Sequence, residues 1–166
     1  MSLLTRVVAE FERFEPTPYL DPVGLPTIGF GHLIKPGETF NAPMSRGAAY
    51  LLLEKDLGEA RRAVDRLFRG VFLSEYEFDA LTSLTFNVGQ MRVADSTLRN
   101  KVLNGDKIAA GHEFCRWVYG TRKTQDGHVK VKLPGLVKRR DVESVWWLGA
   151  HPDTVARLAG ADPADD

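Results

Sequence analysis

Three polar side chains near the N-terminus, Glu12, Asp21 and Thr27, have the types and spacing that acid–base chemistry requires. Two carboxylates that face each other across a cleft can cleave a glycosidic bond. One donates a proton to the leaving oxygen, and the other stabilises positive charge on the sugar or activates water. A hydroxyl such as that of Thr27 can hold the attacking water. Taken singly, these residues also fit a solvated surface glutamate, a turn aspartate and an ordinary strand threonine.

The first of these residues belongs to a predicted N-terminal helix. Apolar residues recur at helical spacing from Leu4 to Phe14, and two following prolines predict that the helix ends near Glu15. Glu10 and Glu12 border the apolar stripe on opposite sides, so either carboxylate can turn toward a cleft. A helix end thus supplies a rigid mount for a proton donor, and the next element must supply its partner.

The rest of the chain is predicted to be a small sheet followed by helices. Glycines, prolines and short apolar stretches in residues 19–32 predict a hairpin or a three-stranded sheet. The segment 120–134 is predicted to be a loop that can contain a hairpin. Four N-caps are predicted for the helices, at Ser45, Ser74, Ser96 and Asp106. We expect one α+β domain, residues 1–166, with a ligand cleft between a β-element at about 17–40 and a helical lobe at about 45–149, and with a C-terminal tail at 150–166.

The composition excludes several classes of protein. The 166 residues carry 22 Lys and Arg against 22 Asp and Glu, and 43% of them are hydrophobic. Zero net charge argues against a globally basic nucleic-acid binder, and the apolar content argues against a disordered chain. The single cysteine, Cys115, excludes an internal disulfide, and we expect it to be buried. Because no apolar run reaches the roughly 18 residues of a membrane helix, we expect no stable membrane association. A monomer is the default expectation.

Several motifs along the chain resemble those of the phage-type lysozymes, glycoside hydrolase family 24. The N-terminal set is Phe11-Glu12, Tyr19-Leu20-Asp21 and Thr27-Ile28-Gly29-Phe30-Gly31-His32. Later matches are Phe78-Asp79-Ala80-Leu81, Phe86-Asn87-Val88-Gly89, Ser96-Thr97-Leu98-Arg99 and Leu133-Pro134-Gly135-Leu136-Val137-Lys138-Arg139-Arg140. The resemblance covers about residues 4–149, and its glutamate, aspartate and threonine fall at the family's spacing.

This resemblance implies a lysozyme-type muramidase that hydrolyses the β-1,4 bond between N-acetylmuramic acid and N-acetylglucosamine in bacterial peptidoglycan. By position, Glu12 would be the general acid, while Asp21 and Thr27 would hold or activate the water. The resemblance implies no cofactor. Inversion and retention both stay open, because the outcome depends on the separation of the two carboxylates.

Three further residues match positions that line the sugar cleft in relatives: Leu33, Phe86 and Thr97. For Phe86, plain core packing is an equal alternative. A metal site is not expected, because His32 has no second ligand at metal spacing. By resemblance, His32 is structural and pairs with an acidic group of the helical lobe.

One departure from the family pattern lies beside the predicted acid. Many family members have glycine directly after the glutamate, whereas this chain has Arg13. A guanidinium directed at Glu12 would favour its ionised form, but adjacent helix positions diverge by about 100°, so we expect Arg13 to point away. A general acid also needs a raised pKa, and Phe11, Phe14 and Phe30 are candidates for the apolar wall that would provide it.

The zero net charge conceals a basic stretch, because residues 120–140 contain seven Lys and Arg against one acid, Asp126. This stretch is either solvated surface or an attraction for an anionic cell wall, and Arg139 or Arg140 can instead anchor a buried salt bridge. Nucleic acid is not expected as a partner, because no DNA-binding module accompanies the basic residues.

The biological role that the resemblance implies is that of a phage or prophage endolysin. Such a protein is made in the host cytoplasm and reaches the wall through a holin-type membrane lesion. A tail-associated lysozyme or a toxin with the same chemistry is an alternative. So is a catalytically reduced domain that binds peptidoglycan or a protein partner.

Overall fold

The computed structural model describes residues 1–21, 24–41, 43–124 and 127–161, and within these ranges it contains eight helices and two small sheets. The elements of the N-terminal half are α1 (Leu3–Phe11), β1 (Glu15–Leu20), β2 (Pro26–Gly29), β3 (His32–Leu33), α2 (Arg46–Leu67) and α3 (Glu75–Val88). Those of the C-terminal half are α4 (Gln90–Ala94), α5 (Thr97–Leu103), α6 (Lys107–Phe114), β4 (Tyr119–Thr124), β5 (Gly127–Lys132), α7 (Pro134–Trp147) and α8 (Pro152–Ala159).

A small antiparallel sheet near the N-terminus lies beside a larger helical part, which confirms the predicted α+β architecture. Helix α2 connects the two, because it packs against β2 and β3 on one side and against α3 on the other. Helix α3 lies at the centre of the helical part, in contact with α1, α2, α4 and α7. Its inner residues Ala80, Leu81 and Leu84 are fully buried, as expected for a helix surrounded by others.

Helix α1 ends at Phe11, earlier than the predicted end near Glu15. Glu12 has an extended backbone, with φ −99° and ψ 131°, although its N–H still donates to the carbonyl of Val8 at 3.1 Å. The proline after Glu15 disfavours helical geometry at that residue, so strand β1 begins there. The chain must pass from helix to strand within residues 12–14. Glu12 therefore projects from this turn and not from the face of the helix.

The first sheet has the order β1-β2-β3 with antiparallel pairing throughout. Thr27 of β2 lies between Tyr19 of β1 and Leu33 of β3. Asp21 directly follows β1: its N–H donates to the carbonyl of Leu25 at 2.9 Å, and its Oδ1 accepts the N–H of Leu25 at 2.8 Å. Asp21 thus stabilises the chain reversal that leads into β2, as short polar side chains do in turns.

Side-chain N-caps begin four helices where the sequence predicts them. Ser45, Ser74, Ser96 and Asp106 each accept a backbone N–H from the residue three positions later. Ser74 also belongs to a capping box, because the carboxylate of Glu77 accepts the N–H of Ser74 at 2.8 Å. Each cap satisfies an N–H group that has no partner within its helix, which fixes the start of that helix.

The C-terminal half holds two departures from expectation. Helix α4 was not predicted, since five residues are too few to show a helical period. Cys115 is exposed, not buried: it caps the end of α6, and the neighbouring Phe114 takes the buried position. Strands β4 and β5 pair antiparallel, which agrees with the prediction that the loop 120–134 can contain a hairpin, although β4 begins one residue earlier, at Tyr119. In the described parts of the chain, no helix combines the length and the apolar character that a membrane span needs.

Candidate active site

A cavity of about 610 Å³ opens between the small sheet and the helical part, and Glu12 lies in its wall. The turn after α1 carries this residue there, with 22% of its side chain exposed. Gly31 approaches it from the sheet, because a Cβ added at Gly31 would lie 3.3 Å from Oε2 of Glu12. Gly31 also has φ +78°, a conformation that glycine adopts without strain. One carboxylate oxygen of Glu12 therefore faces the sheet.

The other carboxylate oxygen of Glu12 is held by a buried arginine of α7. Nη1 of Arg139 donates to Oε1 of Glu12 at 2.6 Å, and only 3% of the arginine side chain is exposed. Nε of Arg139 donates to Glu143 at 3.1 Å, and Nη2 donates to the carbonyl of Ser83 at 3.2 Å. Its guanidinium also lies over the ring of Phe11, 5.2 Å from the ring centroid. These contacts fix the guanidinium, which in turn fixes the carboxylate of Glu12.

Arg140 completes the same network on the side of α3. Its Nε lies 3.0 Å from Oε2 of Glu143, and its Nη2 donates to Oδ1 of Asn87 at 2.8 Å. Arg140 and Glu143 are both fully buried. Burial lowers the pKa of Arg140 to about 10, so it remains charged at neutral pH. The prediction that Arg139 or Arg140 anchors a buried salt bridge is confirmed for both.

Asp21 and Thr27 lie on the sheet, and neither lines the cavity that holds Glu12. Thr27 is buried, and its hydroxyl donates to the carbonyl of Leu25 at 3.1 Å. The only hydroxyl hydrogen is therefore occupied, so toward a water molecule Thr27 can act as an acceptor. Asp21 is half-buried, and its Oδ1 accepts the N–H of Leu25 at 2.8 Å, as in the turn described above.

Tyr19 of β1 is influenced by the charges of both Glu12 and Asp21. Burial raises the pKa of the Tyr19 phenol, and the negative charges of Glu12, Glu15 and Asp21 raise it further. Glu12 and Asp21 are thus both within electrostatic reach of one side chain. The phenol therefore stays protonated at neutral pH.

The three residues predicted to line the sugar cleft occupy different places. Leu33 lines the cavity with 45% of its surface exposed. Phe86, at the end of α3, lines the cavity and also packs partly against the core, so it fits both readings. Thr97 is the exposed first residue of α5 and does not line the cavity.

His32 connects the sheet to α2. Its Nδ1 lies 2.7 Å from Oδ2 of Asp56 on α2, and its Nε2 lies 2.9 Å from Oε2 of Glu38. The pairing with an acidic group of the helical part is the predicted one. The backbone N–H of Lys35 and the imidazole of His32 both lower the pKa of Glu38. Within the described residues, no group of His, Cys, Asp and Glu is arranged to hold a metal ion.

Arg13 points away from Glu12, as expected. Its side chain is 88% exposed, and its Nε lies 2.7 Å from the carboxylate of Glu15. The structural reason differs from the predicted one, because Glu12 has already left the helix.

The aromatic residues proposed as a wall for the acid do not line the cavity. Phe14 and Phe30 instead pack against each other, with Tyr50 beside Phe30 and the guanidinium of Arg46 over all three rings. Phe11 does not line the cavity wall either; its ring packs against the guanidinium of Arg139, which binds Glu12. The apolar part of the wall comes from Leu33, Phe86 and two alanines of α2.

Sequence reasoning did not identify the contribution of α2 to the cavity. Its residues Asp56, Glu59, Ala60, Arg62, Ala63 and Arg66 line the cavity along one side of the helix. A signal for this exists in the sequence. Ala60 and Ala63 recur at helical spacing beside the charged residues Glu59, Arg62 and Arg66. A helix face that mixes small and charged residues in this way is typical of one that borders open space and not a packed core.

Comparison with known proteins gives consistent relatives. The phage lysozyme family model matches residues 9–143 of this chain. A SAR-endolysin of Escherichia phage Mu is 35% identical over 130 residues, which are 78% of this chain and 70% of that protein. An endolysin of Acyrthosiphon pisum secondary endosymbiont phage 1 is 28% identical over 146 residues, which are 87% of this chain and 94% of that protein.

Solved structures show the same similarity in three dimensions. The muramidase domain of SpmX from Asticaccaulis excentricus superposes with a TM-score of 0.78 at 25% identity, over 90% of this chain and 97% of that one. An endolysin from Escherichia coli O157:H7 phage FAHEc1 also gives a TM-score of 0.78, at 28% identity, over 90% of this chain and 92% of that one. The fold is therefore lysozyme-like, and the chain belongs to the phage lysozyme family.

Proposed function

We propose that the protein is an N-acetylmuramidase (EC 3.2.1.17) that cleaves peptidoglycan and acts as a phage or prophage endolysin. The observation that carries the proposal is the position of Glu12. Its carboxylate lies in the wall of the cavity between the two parts of the fold, with one oxygen bound by Arg139 and the other facing Gly31. Membership of the phage lysozyme family supplies the reaction class.

In this proposal Glu12 is the general acid. Its Oε2 gives a proton to the glycosidic oxygen while the bond from that oxygen to the anomeric carbon breaks. Oε1 stays bound to Arg139, whose guanidinium stabilises the carboxylate that remains after proton transfer. Because Arg139 is fixed by Glu143 and by the carbonyl of Ser83, the carboxylate needs little reorganisation during the step.

Asp21 and Thr27 are proposed to handle the attacking water. The water oxygen forms a bond to the anomeric carbon, and one of its protons passes to Asp21. The other proton stays on that oxygen as the hydroxyl of the new reducing end and is donated in a hydrogen bond to the oxygen of Thr27. The acceptor role of Thr27 follows from its hydroxyl, whose hydrogen is donated to Leu25. Exchange of protons with solvent then returns Asp21 to its ionised form and Glu12 to its protonated form.

Leu33, Phe86 and Thr97 are proposed to contact the sugars. The cavity supports this for Leu33 and Phe86, which line it, whereas Thr97 would contact only a glycan that extends beyond the cavity.

As an endolysin, the protein would act as a single-domain monomer without bound nucleic acid or stable membrane association. It would reach the wall after synthesis in the host cytoplasm, through a holin-type lesion. The presence of Glu12, Asp21 and Thr27 together argues against a catalytically reduced domain.

The decisive experiment compares wild type, Glu12→Gln and Glu10→Gln on purified peptidoglycan, with products identified by mass spectrometry. Glu10 is an exposed acid of α1, two residues before Glu12, and serves as the matched control. We expect wild type and Glu10→Gln to release fragments with free reducing ends, and Glu12→Gln to lose at least about 100-fold in rate.

Equal activity of Glu12→Gln and wild type would exclude Glu12 as the acid. Products that end in a 1,6-anhydro sugar would show a lytic transglycosylase. Binding of the wall by wild type without any sugar release would favour the catalytically reduced alternative. The anomer that forms first, observed by NMR, would decide between inversion and retention.

A further inference from the structure

The face of α2 that borders the cavity carries two arginines without a role in the reaction proposed above. Arg62 and Arg66 are one helical turn apart, both are exposed, and both line the same cavity as Glu12. The small side chains of Ala60 and Ala63 lie beside them in the wall. Two cations thus point into the space that a substrate bound at Glu12 would share.

The other charged groups of this face already have partners. Asp56 pairs with His32 at 2.7 Å, and Glu59 pairs with Lys35 at 3.0 Å. Arg62 lies within electrostatic reach of Glu59, whose pKa is lowered mainly by its hydrogen bond to Lys35. Among the described residues, neither Arg62 nor Arg66 forms an ion pair within 4.0 Å.

Arg61, a neighbouring arginine of the same helix, differs from these two because it has an ionic partner. Arg61 points to a different side of α2, where it pairs with Asp79 at 3.2 Å and lies over the ring of Phe78. On the cavity side, Arg66 instead donates to the neutral amide of Gln90 at 2.9 Å. This hydrogen bond orients the guanidinium of Arg66 without neutralising it.

We propose that Arg62 and Arg66 form a subsite for the carboxylates of the peptide stem and make the enzyme selective for stems with free carboxylates. This inference rests on the proposed muramidase function. The lactyl group of N-acetylmuramic acid carries a peptide, so a glycan bound at Glu12 brings the carboxylates of this peptide close to the cavity. A guanidinium offers a planar pair of donors that matches a carboxylate. Amidation of the stem removes this charge and leaves the sugar chain as it was.

The expected size of the selectivity follows from the exposure of the two arginines. Exposed ion pairs are weak, and each one corresponds to a factor of about two to five. Two such contacts multiply to a preference of about fourfold to 25-fold in kcat/KM for carboxylate stems over amidated stems. The preference should fall as salt is added, because exposed charges are screened.

The test measures kcat/KM of wild type, the double variant Arg62→Gln/Arg66→Gln and the control Arg69→Gln on two preparations of one soluble muropeptide oligomer. One preparation has free stem carboxylates, and in the other they are amidated chemically. Arg69 is an exposed arginine of the segment after α2 that does not line the cavity. We expect wild type and Arg69→Gln to prefer the carboxylate substrate by about fourfold to 25-fold, and the double variant to show a ratio near one.

Three results would overturn the subsite: equal rates of wild type on both substrates, a double variant that keeps the full preference, or an equal loss of preference in Arg69→Gln. Because these results compare rates that are all measurable, they leave the proposed function intact. Wild type that cleaves neither substrate would instead refute the muramidase function, and the subsite with it.

Discussion

The stability of the fold is expected to depend on pH through Asp79, a residue of α3 whose side chain is almost fully buried. Burial raises the pKa of Asp79 from 3.8 to about 6; the nearby guanidinium of Arg61 opposes this rise, and Glu75 adds to it. The folded protein therefore holds a proton on Asp79 at a pH where the unfolded chain has already released it.

The sign and the magnitude follow from this difference. At a pH below the unfolded value both states are protonated, and Asp79 has no effect. As the pH rises, the unfolded state gains stability first, so the free energy of unfolding falls until the folded state also ionises near pH 6. A shift of roughly two pKa units corresponds to about 3 kcal/mol, and most of that loss should occur between about pH 4 and pH 7.

Urea titrations of wild type, Asp79→Asn and the control Asp65→Asn at a series of pH values would measure this effect. Asp65 is an exposed acid of α2. We expect wild type to lose about 2–3 kcal/mol relative to Asp79→Asn between pH 4 and pH 7, while Asp65→Asn follows wild type. A stability difference between wild type and Asp79→Asn that is constant with pH would refute the raised pKa. A wild type that becomes more stable than Asp79→Asn as pH rises would show that the charge of Arg61 outweighs burial.

Three further predictions concern the site and the hairpin. Arg139→Met should lower the free energy of unfolding by about 3 kcal/mol in urea titration, because it breaks a buried ionic network. It should also lower kcat, and Arg139→Lys should have a kcat between those of Arg139→Met and wild type. Gly31→Ala should reduce both stability, by about 1–2 kcal/mol, and kcat, because it places a Cβ 3.3 Å from Oε2 of Glu12 at a backbone φ of +78°. Full activity of this variant would contradict the assigned position of Glu12. Added salt should weaken sedimentation with intact walls more than cleavage of a short substrate with neutral stems, and Lys130→Gln/Lys132→Gln should reduce that difference. An identical salt response of binding and cleavage would leave the hairpin as ordinary surface.

The starts of the helices could be predicted from sequence because caps are local. Ser74 and Glu77 satisfy each other within four residues, so no knowledge of the fold is needed to place them. The end of α1 is harder to predict from the sequence. The prolines gave the correct reason for stopping, but the distance over which the chain passes from helix to strand depends on how β1 pairs with β2. Glu12 was therefore predicted on a helix and lies in a turn.

The composition of the site depends on contacts that sequence spacing does not encode. Arg139 holds Glu12 across 127 positions of the chain, and sequence reasoning could say only that Arg139 or Arg140 might be buried. Arg62 and Arg66 border the cavity because α2 runs past both the sheet and α3. This arrangement depends on tertiary packing, which the spacing of residues in α2 does not indicate. Family resemblance predicts catalytic roles for Glu12, Asp21 and Thr27, but it does not show that Glu12 alone among these three lines the cavity.

The contact between Glu12 and Arg139 also has a consequence for the timing of synthesis. Glu12 is synthesised early and Arg139 late, because 127 positions of the chain separate them. Helix α1 also packs against α8, which is synthesised later still. A nascent chain that has not yet released α7 from the ribosome cannot complete the site. Partial products, whether from interrupted translation or from proteolysis before residue 139, would therefore carry Glu12 without the cation that holds it, and should be inactive toward the wall.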